Sequence, residues 1–409
     1  MADLSFLNQQ QRILCRLLAD SLFGIPFEGE ENVDWNGVYR ESRMQTVIIP
    51  AFWHCDRLNL DEKLRKEIQG AVQQCVFQSV QNYAYHDYLH YLMKANHIRY
   101  CVLKGTSSAA YYPEEMMRQM GDVDFLVAGK DFDRAAAVLT EDGFSPEGGD
   151  HPHHVAFLKE RMEFEMHFDP PGVPDGETGK KIREYFADIL ENSRELSGGN
   201  GGCIVPGPFH HGLIMLLHMK GHLLSEGFGL RHLCDWAVFV NGFKPDAFRK
   251  MFEKPLKRTG LWKFTQAVSL TAHYAAGLPL QPWMGKDLPL ARELLLDIFS
   301  GGNFGVKDEQ RFFEGLFISE RGRKRIRHNR AVQAVLSANR IVYSHWPFAR
   351  KLPVLLPAGW IFFFVRRYRR TLTGERKKIH YLAAYQKSAG RKKLYQRLRL
   401  FEKTRDPGE

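Results

Sequence analysis

Within Met120-Gly121-Asp122-Val123-Asp124-Phe125-Leu126-Val127, two carboxylates sit one residue apart in a run that otherwise reads as a buried strand. Side chains alternate across a strand, so Asp122 and Asp124 point to the same side. Two anions held together at the edge of an apolar core repel each other and lose hydration. A divalent cation with oxygen ligands, Mg²⁺ above all, relieves both penalties. The pair therefore reads as a metal site on its own terms.

Two further segments frame it. Upstream, Ile98-Arg99-Tyr100-Cys101-Val102-Leu103 reads as a strand and runs into Lys104-Gly105-Thr106-Ser107-Ser108-Ala109-Ala110. Gly105 permits a tight turn with close backbone approach, and the small hydroxyl residues after it suit a helix start. A strand, a glycine turn and a helix start place free backbone N–H groups where a phosphate can sit. Downstream, Glu163-Phe164-Glu165-Met166-His167-Phe168 alternates polar and apolar, so Glu163, Glu165 and His167 share one face.

In this order the motifs resemble the uncharacterised nucleotidyltransferase family of the polymerase-β-like superfamily. The matching residues are Leu103-Lys104-Gly105, Tyr112-Pro113, Arg118, Gly121 to Val127, Gly143-Phe144, His153-His154 and Glu165-Met166-His167, spread over residues 98–170. The helical stretch around His218, His222, Arg231 and Asp235 is similar to the family's downstream part. The resemblance implies an α+β fold, a small mixed β-sheet core flanked by mainly helical N- and C-terminal regions. It maps Asp122 and Asp124 onto paired metal ligands. Gly105 and Thr106 map onto the glycine turn, with Thr where the superfamily has Ser or Gly. Glu165 is the best match for a third carboxylate, with Glu163 as the alternative.

Such residues would support phosphoryl or nucleotidyl transfer. One Mg²⁺ or Mn²⁺ held by Asp122 and Asp124 would bridge the triphosphate of an NTP. A second would lower the pKa of an acceptor hydroxyl, with Glu165 as ligand or base. Attack on the α-phosphorus would release pyrophosphate and leave the nucleotide on a protein, sugar or small-molecule acceptor. Lys104 and Arg118 are expected to neutralise phosphate charge, and Gly105, Thr106 and Ser107 to cradle it. Lys220 and Arg231 are expected to reach the triphosphate from the helical region. Each residue also has a purely structural reading. The Asp pair can cap a turn or pair with Arg118, and Gly105 can serve only its turn. Glu163 and Glu165 can form a solvent face, His167 a structural hydrogen bond, and His151, His153 and His154 a loop.

A second histidine-bearing stretch, His218-Met219-Lys220-Gly221-His222, has the i, i+4 spacing of a zinc-binding helix. The glutamate of a zinc-protease helix is missing, with Met219 in its place. Leu213, Ile214, Leu216, Leu217, Leu223 and Leu224 make the helix a packed one, so these histidines read as core-side residues facing the cleft.

With 409 residues and 44% hydrophobic content, the chain can bury two cores or one large one. Its six cysteines are scattered with no C-x-x-C spacing, which argues for reduced thiols in a cytoplasmic setting. No N-terminal signal is visible in the acidic opening. The expected organisation is a helical region over 1–95 and an α/β core over 96–195, with a helix from Asp131 to Glu141 and a strand stopped by Pro170-Pro171-Gly172. A helical domain over 203–345 and a basic, apolar-aromatic tail over 346–409 follow. Ser197 to Gly202 reads as a flexible loop and connector, and as a poor phosphate cradle because no strand leads into it.

Charge is uneven. Residues 321–409 hold 24 Lys and Arg against 4 Asp and Glu, whereas residues 1–320 hold 33 against 43. A tail this basic meets phosphate, in a lipid surface or a nucleic acid. It contains an apolar run from Leu352 to Val365, too short to span a bilayer, followed by Arg366-Arg367-Tyr368-Arg369-Arg370. Aromatics beside a basic cluster suit peripheral attachment to an anionic membrane, while a buried helix with a solvated flank is the structural alternative. Nucleic acid fits less well, because the apolar run stands apart from any base-stacking motif. Two functions follow: a metal-dependent nucleotidyltransferase, or a catalytically silent protein of the same fold that binds or scaffolds at a membrane surface.

Overall fold

The computed structural model describes residues 3–147, 154–174, 176–198, 201–308, 352–372 and 381–400, with isolated positions between 311 and 349. The α+β architecture expected from the sequence is the one observed, a small mixed sheet among many helices.

The strands are β1 (Tyr100–Val102), β2 (Val123–Val127), β3 (Ser145–Pro146), β4 (His154–Lys159) and β5 (Met162–His167). They lie in the order β1-β2-β5-β4-β3, with β2 parallel to β5 and every other pairing antiparallel. Strand alternation gives the sheet two unlike faces. Val123, Phe125 and Val127 join Phe164 and Met166 in a core closed by Ala135 and Leu139 of α6 (Phe132–Glu141). Leu126 points the other way, into a larger helical core that also takes Cys101 and Leu103. Asp124 shares Leu126's side of β2, and Glu165 and His167 take the matching side of β5. The acidic face of the sheet therefore looks toward the helices.

Those helices come from both ends of the chain. Ile13, Leu14, Leu17 and Leu18 of α1 (Gln9–Phe23) share one core with α8 (Pro208–Leu224), α9 (Leu230–Asn241), α11 (Trp262–Ala276) and α12 (Leu288–Gly301). A capping box between Asn8 and Gln11 opens α1. The 34-residue α4 (Glu62–Ala95), N-capped by Asp61, is about 50 Å long and spans from this core to the sheet.

Of the stretch 197–202, expected to be a flexible connector, Ser197, Gly198, Gly201 and Gly202 belong instead to two antiparallel strands, β6 (Arg194–Gly198) and β7 (Gly201–Val205), while residues 199–200 lie outside the described ones. Cys203 and Val205 bury into the same core as β1 and β5. The incoming strand starts Arg194-Glu195, so it lacks an apolar signature.

The basic C-terminal region divides in two. In the helix Tyr381–Arg397, Leu394 and Tyr395 pack into the large helical core, joined by Leu398 just beyond it. The helix Leu356–Leu372 stands apart, packing Leu356, Trp360 and Phe363 around Val342, Trp346 and Ala349. Among the described residues, no helix is long and apolar enough to cross a membrane.

Candidate active site

A cleft of about 410 Å³ opens between the acidic face of the sheet and helices α8 and α9. Asp122 sits exposed just before β2, and Asp124 is buried within it. Parallel pairing puts Asp124 level with Glu165 and Leu126 level with His167. Residues level on neighbouring strands face the same way. As a result, Asp122, Asp124 and Glu165 each bring a carboxylate oxygen within 4.8 Å of the others. His154, Glu165 and His167 form a second such set around the same glutamate, with His154 Nε2 at 3.7 Å from Glu165 Oε1.

Charge is distributed unequally over these groups. Asp124 Oδ1 lies 2.7 Å from Lys104 Nζ and 3.1 Å from His167 Nε2. Burial works against the Asp124 anion, but Lys104 and His167 outweigh it and hold the carboxyl far below its ordinary range. The same contacts act in reverse on their partners: burial opposes the cations, and Asp124 raises both Lys104 and His167. Asp122 has no such close contact among the described residues, and Lys104 only partly offsets its neighbours. The neighbouring Asp124 charge, reinforced by burial, pushes its carboxyl up to about 6.

The turn after β1 depends on glycine. Gly105 has φ +68°, and a Cβ there would lie 3.2 Å from His86 Nε2 on α4. Gly172, at φ +78°, lets the 170–172 turn touch α8, where a Cβ would meet the Leu217 carbonyl oxygen at 2.5 Å. Asn82 on α4 donates to the Gly121 carbonyl, and Ser79 Oγ donates to the Arg118 carbonyl at 3.3 Å. Helix α4 thus braces both loops that carry the site.

Of the expected phosphate contacts, Arg118 lines the cleft, whereas Thr106, Ser107 and Lys220 do not. Arg118 is buried and forms two 2.9 Å hydrogen bonds to the carboxylate of Asp235, which also accepts from Tyr112 Oη at 2.7 Å. Arg118 and Asp235 both line the cleft, and their ion pair ties α9 to the loop before β2. Thr106 and Ser107 are buried behind the cleft wall, and Ser107 Oγ donates to the Lys104 carbonyl at 3.1 Å. Ser108 lines the cleft in their stead, because the short α5 (Thr106–Ala109) turns its first two side chains inward. Lys220 also lies off the cleft wall, while its neighbours Met219 and Gly221 line it. Glu163 is exposed and belongs to neither carboxylate set among the described residues. His151 and His153 lie outside the described residues.

Lys104, Gly105, Asp122, Asp124, Glu165, His167, His218, His222 and Arg231 are brought together. His232 and Phe304, which sequence reasoning did not single out, join them. His232 lies among apolar neighbours on a buried helix, with no spacing that marks it. Phe304 arrives from a turn more than 130 residues beyond the sheet.

A family model described as an uncharacterised nucleotidyltransferase matches residues 31–278, more than half of the chain, and the chain belongs to that family. No curated protein and no solved structure matches it.

Proposed function

We propose that this member of the nucleotidyltransferase family moves a nucleoside monophosphate from an NTP to an acceptor hydroxyl with release of pyrophosphate. In this reading Asp122, Asp124 and Glu165 hold Mg²⁺ or Mn²⁺. The observation that carries it is the convergence of these three carboxylates within 4.8 Å on one cleft. Three hard oxygen donors suit either ion, and the repulsion that pushes Asp122 up is what a cation relieves. A bound divalent ion supplies charge neutralisation for the triphosphate and acidifies the acceptor hydroxyl.

The remaining work falls to the chain. The acceptor oxygen attacks the α-phosphorus, its proton passes to the Glu165 carboxylate, and the α,β-bridging oxygen leaves with pyrophosphate. His167 keeps Asp124 ionised and oriented through the 3.1 Å hydrogen bond. Lys104 is the counter-ion of Asp124 and can turn to a phosphate oxygen at the same point. The silent reading also draws on that pair, since Lys104 already neutralises Asp124. Incubation with Mg²⁺ or Mn²⁺ and each α-labelled NTP separates the two. Label transfer that disappears in Asp122→Ala and Asp124→Ala supports catalysis, and transfer that survives both substitutions removes these residues from it.

For the tail we infer that residues 352–370 rest on an anionic membrane surface. Val354, Ile361, Phe362 and Val365 are 80%, 66%, 47% and 44% exposed. Ile361 and Val365, four residues apart, share one side of the helix Leu356–Leu372 whose other side is packed, and Val354 lies in the turn just before it. The sequence continues into Arg366-Arg367-Tyr368-Arg369-Arg370, whose side chains lie outside the described residues. Apolar residues followed by positive charge complement an anionic headgroup layer. Co-sedimentation with phosphatidylglycerol vesicles, absent with phosphatidylcholine and lost in Ile361→Ser/Val365→Ser, is expected. Binding that ignores both lipid charge and substitution rules this surface out.

A further inference from the structure

The helical wall of the cleft has its own unfinished chemistry. His218 and His222 on α8 and His232 on α9 bring their rings together, with centroids 4.3, 5.3 and 5.9 Å apart. His232 is only 6% exposed and lines the cleft, and neither of its ring nitrogens meets a hydrogen-bond partner among the described residues. Buried polar atoms are ordinarily paired, so a side chain of this kind facing a cleft points to a ligand.

The other two histidines are mismatched among themselves. His218 Nε2 lies 2.8 Å from His222 Nε2 and 3.4 Å from Lys104 Nζ, while His222 Nδ1, 3.3 Å from Glu226 Oε1, makes no hydrogen bond among the described residues. If His222 carries its proton on Nδ1, on the Glu226 side, its Nε2 accepts from His218, and the His218 N–H then faces the Lys104 ammonium. If His222 donates to His218 instead, its bare Nδ1 faces the Glu226 carboxylate. Each neutral arrangement leaves one contact wrong. An anionic oxygen beside Lys104 and His218 resolves the first. Arg231, next in sequence to His232, adds a guanidinium over the Phe304 ring at 5.9 Å and keeps a buried Nε with no partner among the described residues.

We propose that His218, His222 and His232, with Arg231 and Lys104, form the seat of the β- and γ-phosphates of the nucleoside triphosphate. This rests on the nucleotidyl-transfer reading above. Lys104 fixes the geometry, because it touches both the Asp124 carboxylate and His218. A triphosphate whose α-phosphorus lies at the carboxylates therefore extends its terminal phosphates onto the histidine wall. The donors suit phosphate oxygens.

Inorganic tripolyphosphate, titrated calorimetrically into the full-length protein without divalent metal, probes the seat apart from catalysis. Wild type is expected to bind, His232→Asn to bind about tenfold more weakly, and His222→Asn/His232→Asn more weakly again. His232→Gln, which can restore one donor, is expected to recover part of the loss. Wild type that fails to bind, or affinity unmoved by the substitutions, overturns the proposal. Should the variants misfold, wild-type protein still answers. Tripolyphosphate should protect the peptide bearing residues 218–232 from diethylpyrocarbonate, and equal modification with and without it also overturns the seat. The two readings part cleanly: binding without label transfer sinks the transfer reading, and transfer whose KM for NTP ignores the histidines sinks only the seat.

Discussion

On the sheet side of the cleft the charges largely satisfy one another, whereas on the helix side donors outnumber acceptors. Asp124 has Lys104 and His167, and Glu165 lies between His154 and His167. Opposite them, His232 has no hydrogen-bond partner among the described residues, and His218 Nε2 lies between the Lys104 ammonium and His222 Nε2. Burial lowers the pKa of His218 and His232, and the nearby cations lower it further, so a neutral ring is the resting form of each. One wall is arranged to hold a cation, the other an anion, and a metal-bound polyphosphate is a ligand with both.

Substitutions on the two walls should therefore fail differently. The largest effect is expected from Asp122→Asn/Asp124→Asn, which should lower label transfer by at least about a thousandfold through lost transition-state charge stabilisation. Metal-free tripolyphosphate binding should persist in that variant. Next comes the brace between α9 and the loop before β2. Asp235→Ala strands the buried Arg118 guanidinium and should cost about 3–5 kcal/mol in urea unfolding, while Arg118→Met/Asp235→Leu should recover most of it. His232→Asn follows, with about a tenfold rise in KM for NTP, little change in kcat and normal unfolding.

The smallest expected effect concerns pH. The Asp122 carboxyl is pushed up to about 6, above its ordinary value near 3.8, by Asp124. The folded state therefore holds this proton more tightly, and metal-free stability falls as pH rises across that interval. Asp122→Asn should stabilise the metal-free protein at pH 8, by less than about 1 kcal/mol because solvent screens the exposed group, and should leave it unchanged at pH 4. Thermal unfolding at the two pH values, with and without Mn²⁺, checks the sign. Mn²⁺ should remove the wild type's disadvantage at pH 8.

Legibility differed in the same way. The carboxylate wall is local: strand alternation places Asp122 and Asp124 together, and a second alternating strand supplies Glu165. The paired strands Arg194–Gly198 and Gly201–Val205 have no clear sequence signal, because the first opens on charged residues. Arg118 and Lys220 were read by charge, and charge does not say where a side chain points. Arg118 turns to Asp235, 117 residues away, and Lys220 lies off the cleft wall.

The residues in order were enough for the strand that carries the aspartates, its glycine turn and the ordered motifs that resemble the family, and the resemblance in turn implied the α+β class. These depend on periods of two and on spacings within a few dozen residues, which a linear chain displays directly. The histidine wall needed the folded chain. Its members gain meaning from Lys104, which lies 114 residues from His218 yet touches it. Contacts at that separation are set by how two cores pack around one sheet, and no local pattern encodes them.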